Sequence, residues 1–364
     1  MDDKGVTASI ILKPDAIPIF KRYRPVPLPM TDAVNNELHR LECQGIITPT
    51  SHFLWASPVV WVSKSDGSLR LCADFKGTLN PQILPDAYPL PSIEEIFSKL
   101  AGSIYFAKID LQTAYSQVPL DENSRLLSVI NTTKGLYTIN RLQMGMRNSS
   151  AIFQRFLENN LGDIPGIAIY QDDILVHGMT KVILDERLSS VKEKLKQLNM
   201  TINWDKSITH TESIDYLGYT IDKNGIKPDS KNHNRILQAK EPTNLKELES
   251  FMGLANFYGR MIPCFSEITI PLNNLRRDDV AFVWSEECQK AFDELKTKLT
   301  SSPILVPYDV SKDVILTNDA SKDAIGGILS QDGRLCIKEI DQCRAKLFQH
   351  RKGGVRHSVV RQKT

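Results

Sequence analysis

Hydrophobic positions change period several times along the chain, and each change marks an element. Pro14, Pro18, Pro25, Pro27 and Pro29 exclude a regular helix from the first thirty residues and predict an extended arm draped over the rest. Val34, Leu38 and Leu41 then recur at helical spacing, with Glu37 and Arg40 placed to pair. That helix is predicted to run from Thr31-Asp32, read as its cap, to about Gln44, and Gly45 ends it. Pro58–Val62 and Leu69–Asp74 flank Ser65-Asp66-Gly67-Ser68, the Asp-Gly signature of a β-hairpin with Lys64 and Arg70 near its turn. A strand from Ile104 delivers Asp110 at its end. Ile152, Phe153, Phe156, Leu157 and Leu161 predict a helix capped by Ser149 and Ser150. Two apolar strands, Ile167–Tyr170 and Ile174–Val176, enclose a polar turn holding Asp172 and Asp173, and Leu184, Leu188, Val191, Leu195 and Leu198 form one face of an amphipathic helix.

These elements alternate without a regular βαβ rhythm, which selects an α+β fold over a doubly wound sheet. Beyond Lys227-Pro228 the pattern is helical: Asn244 with Glu247 resembles a capping box, and Ser285 starts a helix that Pro303 stops. Val314–Asp319 reads as another strand ending in an acid, followed by Gly326-Gly327 and a second apolar strand at Ile328-Leu329.

At roughly 150 residues per domain, 364 residues predict two to three domains. With 41% hydrophobic and 24% charged residues the chain is neither disordered throughout nor membrane-embedded, and no apolar run approaches a transmembrane length. Met1–Lys4 lacks a secretory pattern, so the expectation is an intracellular protein with six reduced cysteines, and the absence of any C-x-x-C pair argues against a zinc site. Nine Lys/Arg against two acids give residues 334–364 a local charge of +7, which leaves −5 on the remainder of a chain whose net charge is +2. Nucleic-acid binding therefore has to come from a local site rather than bulk charge.

Asp110, Asp172 and Asp173 sit at the ends of apolar strands, where a folded sheet brings distant acids together. Carboxylates held that close raise one another's pKa unless a cation neutralises them. Two divalent ions would do so and would also clamp a phosphoryl transfer; oxygen-only ligands suit Mg²⁺, or Mn²⁺, over zinc. The alternative is that these acids are solvated turn residues.

Tyr170-Gln171-Asp172-Asp173 resembles the Tyr-x-Asp-Asp box of reverse transcriptases, and its surroundings are similar to Gypsy-type long-terminal-repeat retrotransposon Pol polyproteins. Arg70–Asn80, Tyr88–Pro91, Lys108–Tyr115, Phe153–Arg155, Tyr216–Gly218 and Phe251–Tyr258 occur in that family's order, covering about residues 12 to 333. The resemblance implies a right-hand polymerase of fingers, palm and thumb with an antiparallel palm sheet. The extended arm would be 1–30, fingers and palm 31–229, a thumb-like helical region 230–276, and a partial ribonuclease H-like α/β segment 277–333. It implies Asp110 and Asp172 as principal metal ligands, with Asp173 the less direct third acid. Lys64 and Arg70 would grip the incoming triphosphate, Tyr115 would abut the sugar and exclude a 2′-hydroxyl, and Met144 would brace the nucleotide. Tyr170 and Gln171 would lie beside the primer terminus and Tyr216-Leu217-Gly218 would grip the primer strand. Without the resemblance, Lys64 and Arg70 are equally exposed hairpin charges, Tyr115 a core aromatic and 216–219 a buried strand.

Departures accompany the matches. Gln143-Met144-Gly145-Met146 replaces the family's Pro-Phe-Gly-Leu, Asn148-Ser149-Ser150 replaces Asn-Ala-Pro, and Arg187 stands in place of a helix histidine. Asp319-Ala-Ser321 resembles the first acid box of ribonuclease H, but similarity stops after Gln331; the resemblance thus implies a vestigial Asp319 and no ribonuclease H activity. The basic tail, 334–364, is expected to be disordered, as a frameshift or truncation would leave it. The leading expectation is an RNA-directed DNA polymerase using Mg²⁺ or Mn²⁺, deoxynucleoside triphosphates and an RNA or DNA template-primer duplex, with no membrane partner, in the cytoplasm (a virus-like particle) or the nucleus. The alternative is a retrotransposon remnant that binds nucleic acid without turnover. Nothing in the sequence sets the oligomeric state.

Overall fold

The computed structural model describes residues 7–51, 53–64, 67–259, 262, 265–301, 306–307, 313–320, 325–331, 334–337 and 356–360. In chain order the helices are α1 (Thr31–Cys43), α2 (Ile93–Lys99), α3 (Glu122–Leu127), α4 (Ser149–Leu161), α5 (Lys181–Gln197), α6 (Ser230–Leu237), α7 (Leu245–Gly259), α8 (Phe265–Ile268), α9 (Ile270–Asn274) and α10 (Glu286–Thr300). The strands are β1 (Ile47–Thr50), β2 (Ser57–Ser63), β3 (Leu69–Ala73), β4 (Tyr105–Asp110), β5 (Val129–Thr132), β6 (Gly135–Ile139), β7 (Ile167–Tyr170), β8 (Asp173–Gly178) and β9 (Ile208–Thr211). They continue with β10 (Ser213–Tyr216), β11 (Tyr219–Asp222), β12 (Gly225–Pro228), β13 (Val306–Pro307), β14 (Val314–Ala320), β15 (Ile325–Gln331), β16 (Arg334–Ile337) and β17 (Arg356–Val360). The chain divides into two compact units: Met1–Pro91 with Lys108–Val176 and Glu186–Ile208, and Ser92–Ala107 with His177–Asp185 and Thr209–Thr364.

In the first unit the described part of the proline-rich arm is extended and docks by isolated bridges, Ala8 to Leu120, Leu12 to Ile83 and Phe20 to Ala56. Its sheet has the order β1-β6-β5-β2-β3, and the β2/β3 hairpin pairs Ser63 with Leu69 across Gly67 at φ +80°, while Ser65 and Asp66 lie outside the described residues. Helix α1 buries Val34, Leu38 and Leu41 as its spacing predicted. Its cap does not follow the expectation: Leu28–Met30 already form a 3-10 turn, so Thr31 enters with helical φ and ψ and Met30 stands at the cap without a side-chain bond. The same correction applies to α4, where Ser149 and Ser150 are helical and Asn148 precedes them. Asn148 spends its amide on Leu84 and Asp86 instead of the helix end. Arg187 lies against the turn before β7, its guanidinium beside Gly166.

The second unit holds the β10-β11-β12 sheet and the helices from α6 onward. Ser285 caps α10 as expected, accepting from the Cys288 N–H, and α10 buries Phe292 against Phe251 at 4.5 Å between ring centroids. The capping box before α7 is displaced by one residue: Asn244 accepts from the Glu247 N–H, but the Glu247 carboxylate returns to the Thr243 N–H. Gly326 and Gly327 do not precede a strand; they lie within β15, opposite Asp319 and Asn318. The tail expected to be disordered supplies two strands among its described residues, β16 beside β15 and β17 beside β14. Charge composition does not register local strand propensity: Val359 and Val360 are β-branched and stand opposite Ile315 and Val314 of β14. Residues 338–355 and 361–364 of that tail lie outside the described residues.

Candidate active site

Strand β4 buries Phe106, Ala107 and Ile109 and leaves Lys108 and Asp110 half-buried, two residues apart and so on one face. Both main-chain groups of Asp110 are anchored: its N–H donates to Ser207 Oγ at 3.0 Å and its carbonyl accepts from the Asn203 N–H at 2.9 Å. The sheet order β7-β8-β4-β9 sets β4 beside β8. At the start of β4 the Ile104 N–H donates to the Gly178 carbonyl at the end of β8, so the strands run antiparallel and the Asp110 end of β4 meets the β7–β8 turn. That turn is a two-residue hairpin closed by Tyr170 opposite Asp173, with Gln171 in the left-handed region at φ +54°. A non-glycine residue there costs about 1–2 kcal/mol, which the surrounding contacts must offset.

Burial pushes the Asp172 carboxyl above the ordinary aspartate range, the negative charges of Asp173 and Asp110 push it further, and Lys108 together with a bond to its own N–H opposes them. Lys108 Nζ stands 2.8 Å from Asp173 Oδ1. The donor set is all oxygen and electrostatically crowded around Asp172, which fits a hard divalent cation. Among the described residues no group of three or more His, Cys, Asp or Glu is already closed around such an ion; Asp173 is engaged by Lys108.

Tyr115 is the core aromatic that one of its two readings expected, with a polar end. It is 6% exposed and packs on Phe153 at 4.8 Å between centroids, yet its hydroxyl lies 3.4 Å from Ser150 Oγ and is pushed up by burial first and also by the charge of Asp172. Thr113 at φ +48° turns the chain between Asp110 and Tyr115. Met144 is 54% exposed in a loop that Ser149 Oγ ties down through the Gln143 carbonyl at 2.6 Å. Lys64 and Arg70 are exposed on the β2/β3 hairpin, Arg70 opposite Val62.

Tyr216, Leu217 and Gly218 belong to the second unit. Leu217 at φ +51° and Gly218 at φ +83° make the turn between β10 and β11, with both central residues left-handed as a type I′ hairpin requires. The Gly218 carbonyl accepts from the Tyr258 hydroxyl at 2.6 Å and the Asp229 N–H at 3.1 Å, and Tyr219 packs among Phe97, Phe257 and Tyr258. Asp319 has a described backbone, in β14 opposite Gly326. Three residues with contacts to these segments carried no role in the sequence reading: Lys108, Gln154 and Tyr258. Each stood within a motif box, which was the only signal available.

Residues 62–221 match the family described as reverse transcriptase (RNA-dependent DNA polymerase), and residues 284–337 match an RNase H-like domain found in reverse transcriptase. The chain carries a reverse transcriptase domain. The kinship with Gypsy-type retrotransposon Pol is borne out: the Transposon Tf2-3 and Tf2-7 polyproteins of Schizosaccharomyces pombe are 34% and 33% identical over 330 residues, 90% of this chain. The chain spans 25% of the length of those polyproteins. Two solved structures share its fold. The foamy viral protease-reverse transcriptase dRH in complex with double-stranded DNA gives a TM-score of 0.79 at 23% identity, covering 90% of this chain and 58% of the other. The foamy viral protease-reverse transcriptase in complex with an RNA/DNA hybrid gives 0.76 at 23%, covering 89% and 44%. The expected α+β polymerase fold with an RNase H-like segment is thereby borne out. No helix among the described residues is long and apolar enough to cross a membrane.

Proposed function

We propose that the chain performs RNA-directed DNA synthesis, joining deoxynucleoside monophosphate units from their triphosphates to a primer 3′-hydroxyl on an RNA or DNA template. The observation that carries this reading is the electrostatic crowding of Asp172 by Asp110 and Asp173 at the tip of a sheet in a reverse transcriptase domain. Asp110 and Asp172 would hold Mg²⁺, or Mn²⁺, which when bound supplies activation of the attacking hydroxyl and charge neutralisation at the leaving pyrophosphate. Lys108 neutralises Asp173, which leaves Asp110 and Asp172 as the principal acids for the ions. Lys64 and Arg70 offer multiple donors to a triphosphate, and Tyr115, rigid in its packing on Phe153, sets the space beside the sugar. Met144 borders the nucleotide, Tyr170 and Gln171 the primer end, and the braced turn at Tyr216-Leu217-Gly218 the primer strand. In this reading 31–229 are fingers and palm, 230–276 a thumb-like region and 277–333 a partial ribonuclease H-like domain with a vestigial Asp319. A duplex held through its phosphates binds with a steep salt dependence.

Primer extension on an RNA template with Mg²⁺ tests the assignment. The unmodified chain extends the primer and Asp172→Asn does not; equal extension by both would refute it.

A further inference from the structure

The turn that carries Asp172 is held from behind by one side chain. Gln154 on α4 is fully buried, and its amide is used at both ends. Its Oε1 accepts from the Gln171 N–H at 2.6 Å, while Nε2 donates to the Ile169 carbonyl at 2.9 Å and to Glu158 Oε1 at 2.7 Å. The two backbone groups flank Tyr170. Gln171 lies outside the strand ladder, which closes at Tyr170 and Asp173, and it is the left-handed residue immediately before Asp172. A residue that only filled this buried position would need no amide; burying one without its partners would be unfavourable. The other carboxylate oxygen of Glu158 accepts from the Tyr88 hydroxyl. Tyr88 is itself held by Arg155, whose guanidinium lies 5.6 Å over its ring and pairs with Asp86 at 2.9 Å.

We propose that Gln154 is a positioning residue for nucleotidyl transfer: it fixes the left-handed Gln171 and so the direction in which Asp172 projects, while Glu158 and Tyr88 fix the orientation of its amide. The assignment rests on the polymerase reading above. It predicts an effect on the chemical step, because the clamp holds the turn through the Gln171 N–H and the Ile169 carbonyl and bonds none of the side chains proposed to bind duplex or triphosphate.

The test compares the unmodified chain with Gln154→Leu, Tyr88→Phe, Gln154→Glu and the double exchange Gln154→Glu, Glu158→Gln. Single-turnover incorporation on an RNA template gives the rate constant per active site, and the burst amplitude gives the active fraction. Gln154→Leu lowers the rate constant about 10- to 100-fold, the range for residues that orient a metal ligand, with duplex affinity unchanged. Tyr88→Phe lowers it by less. The double exchange, which keeps an acceptor for the Gln171 N–H and restores the 154–158 hydrogen bond with residue 158 now donating, recovers part of what Gln154→Glu loses. Amide exchange at Gln171 accelerates in Gln154→Leu.

A reduced active fraction with an unaltered rate constant and unaltered Gln171 exchange would make Gln154 a folding residue and overturn the proposal. If Gln154→Leu yields no folded protein, the double exchange decides: a rate constant no better than that of Gln154→Glu overturns it. The two readings fail differently. No extension by the unmodified chain removes the polymerase assignment and this one with it, whereas equal rate constants in the unmodified chain and Gln154→Leu remove this one alone.

Discussion

Lys108 Nζ reaches Asp173 Oδ1 at 2.8 Å from a position two residues before Asp110 on the same strand. One cation thus neutralises one acid of three and opposes the forces that raise the Asp172 carboxyl. Both side chains retain about a quarter of their exposure, 23% and 27%, so solvent weakens the pair without abolishing it.

Removing that cation has a directional consequence. In Lys108→Met, burial and the charges of Asp173 and Asp110 act on Asp172 with less opposition, and its pKa rises further. Chemistry that needs ionised Asp172 then has its acid limb at higher pH. A pH profile of kcat/KM checks this, and an acid limb that stays in place or moves down contradicts it.

Asp172→Asn separates activity from stability. Extension falls about 10³-fold or more. Because the folded-state pKa of Asp172 lies above its ordinary 3.8, the native chain binds this proton more readily than the unfolded chain. The resulting stabilisation is fully present below the unfolded value and is lost as pH rises through the folded one, so at neutral pH the ionised carboxylate opposes folding. The asparagine variant therefore melts a few degrees higher at pH 7, and its advantage shrinks as the pH falls toward the ordinary aspartate value. Thermal melts across pH measure the difference.

Tyr258→Phe tests the brace on the 216–219 turn. Burial pushes the Tyr258 hydroxyl up to about 12, so it remains a donor to the Gly218 carbonyl throughout the neutral range. Its loss costs about 1 kcal/mol, read as a lower urea midpoint at unchanged slope; the Asp229 N–H still satisfies the carbonyl, which limits the damage.

On the proposed role of Tyr115, Tyr115→Val opens the space beside the sugar. Ribonucleotide incorporation rises relative to deoxynucleotide incorporation by about tenfold or more, measured as a ratio of kcat/KM values. The lost packing on Phe153 costs about 2–4 kcal/mol of stability, so the comparison is made well below the melting temperature.

Errors at helix starts share one cause. Thr31, Ser149 and Ser150 are capping residue types, but a cap needs non-helical backbone at its own position, and the preceding 3-10 turn and the anchored Asn148 had already removed that option. Ser285 succeeded because its backbone is extended.

Local periodicity was enough to locate the strand ending in Asp110, the turn bearing Asp172 and Asp173, the hairpin with Lys64 and Arg70, and the helices that bury their apolar faces, because each of these depends on neighbours within a few residues. The ordered motif boxes added the polymerase kinship. What only the folded chain decided is which remote polar groups meet: Lys108 with Asp173, Gln154 with Gln171, and Tyr258 with Gly218. Those pairings depend on strand register and helix placement to within the roughly 3 Å reach of a hydrogen bond, a precision that hydrophobic spacing does not encode.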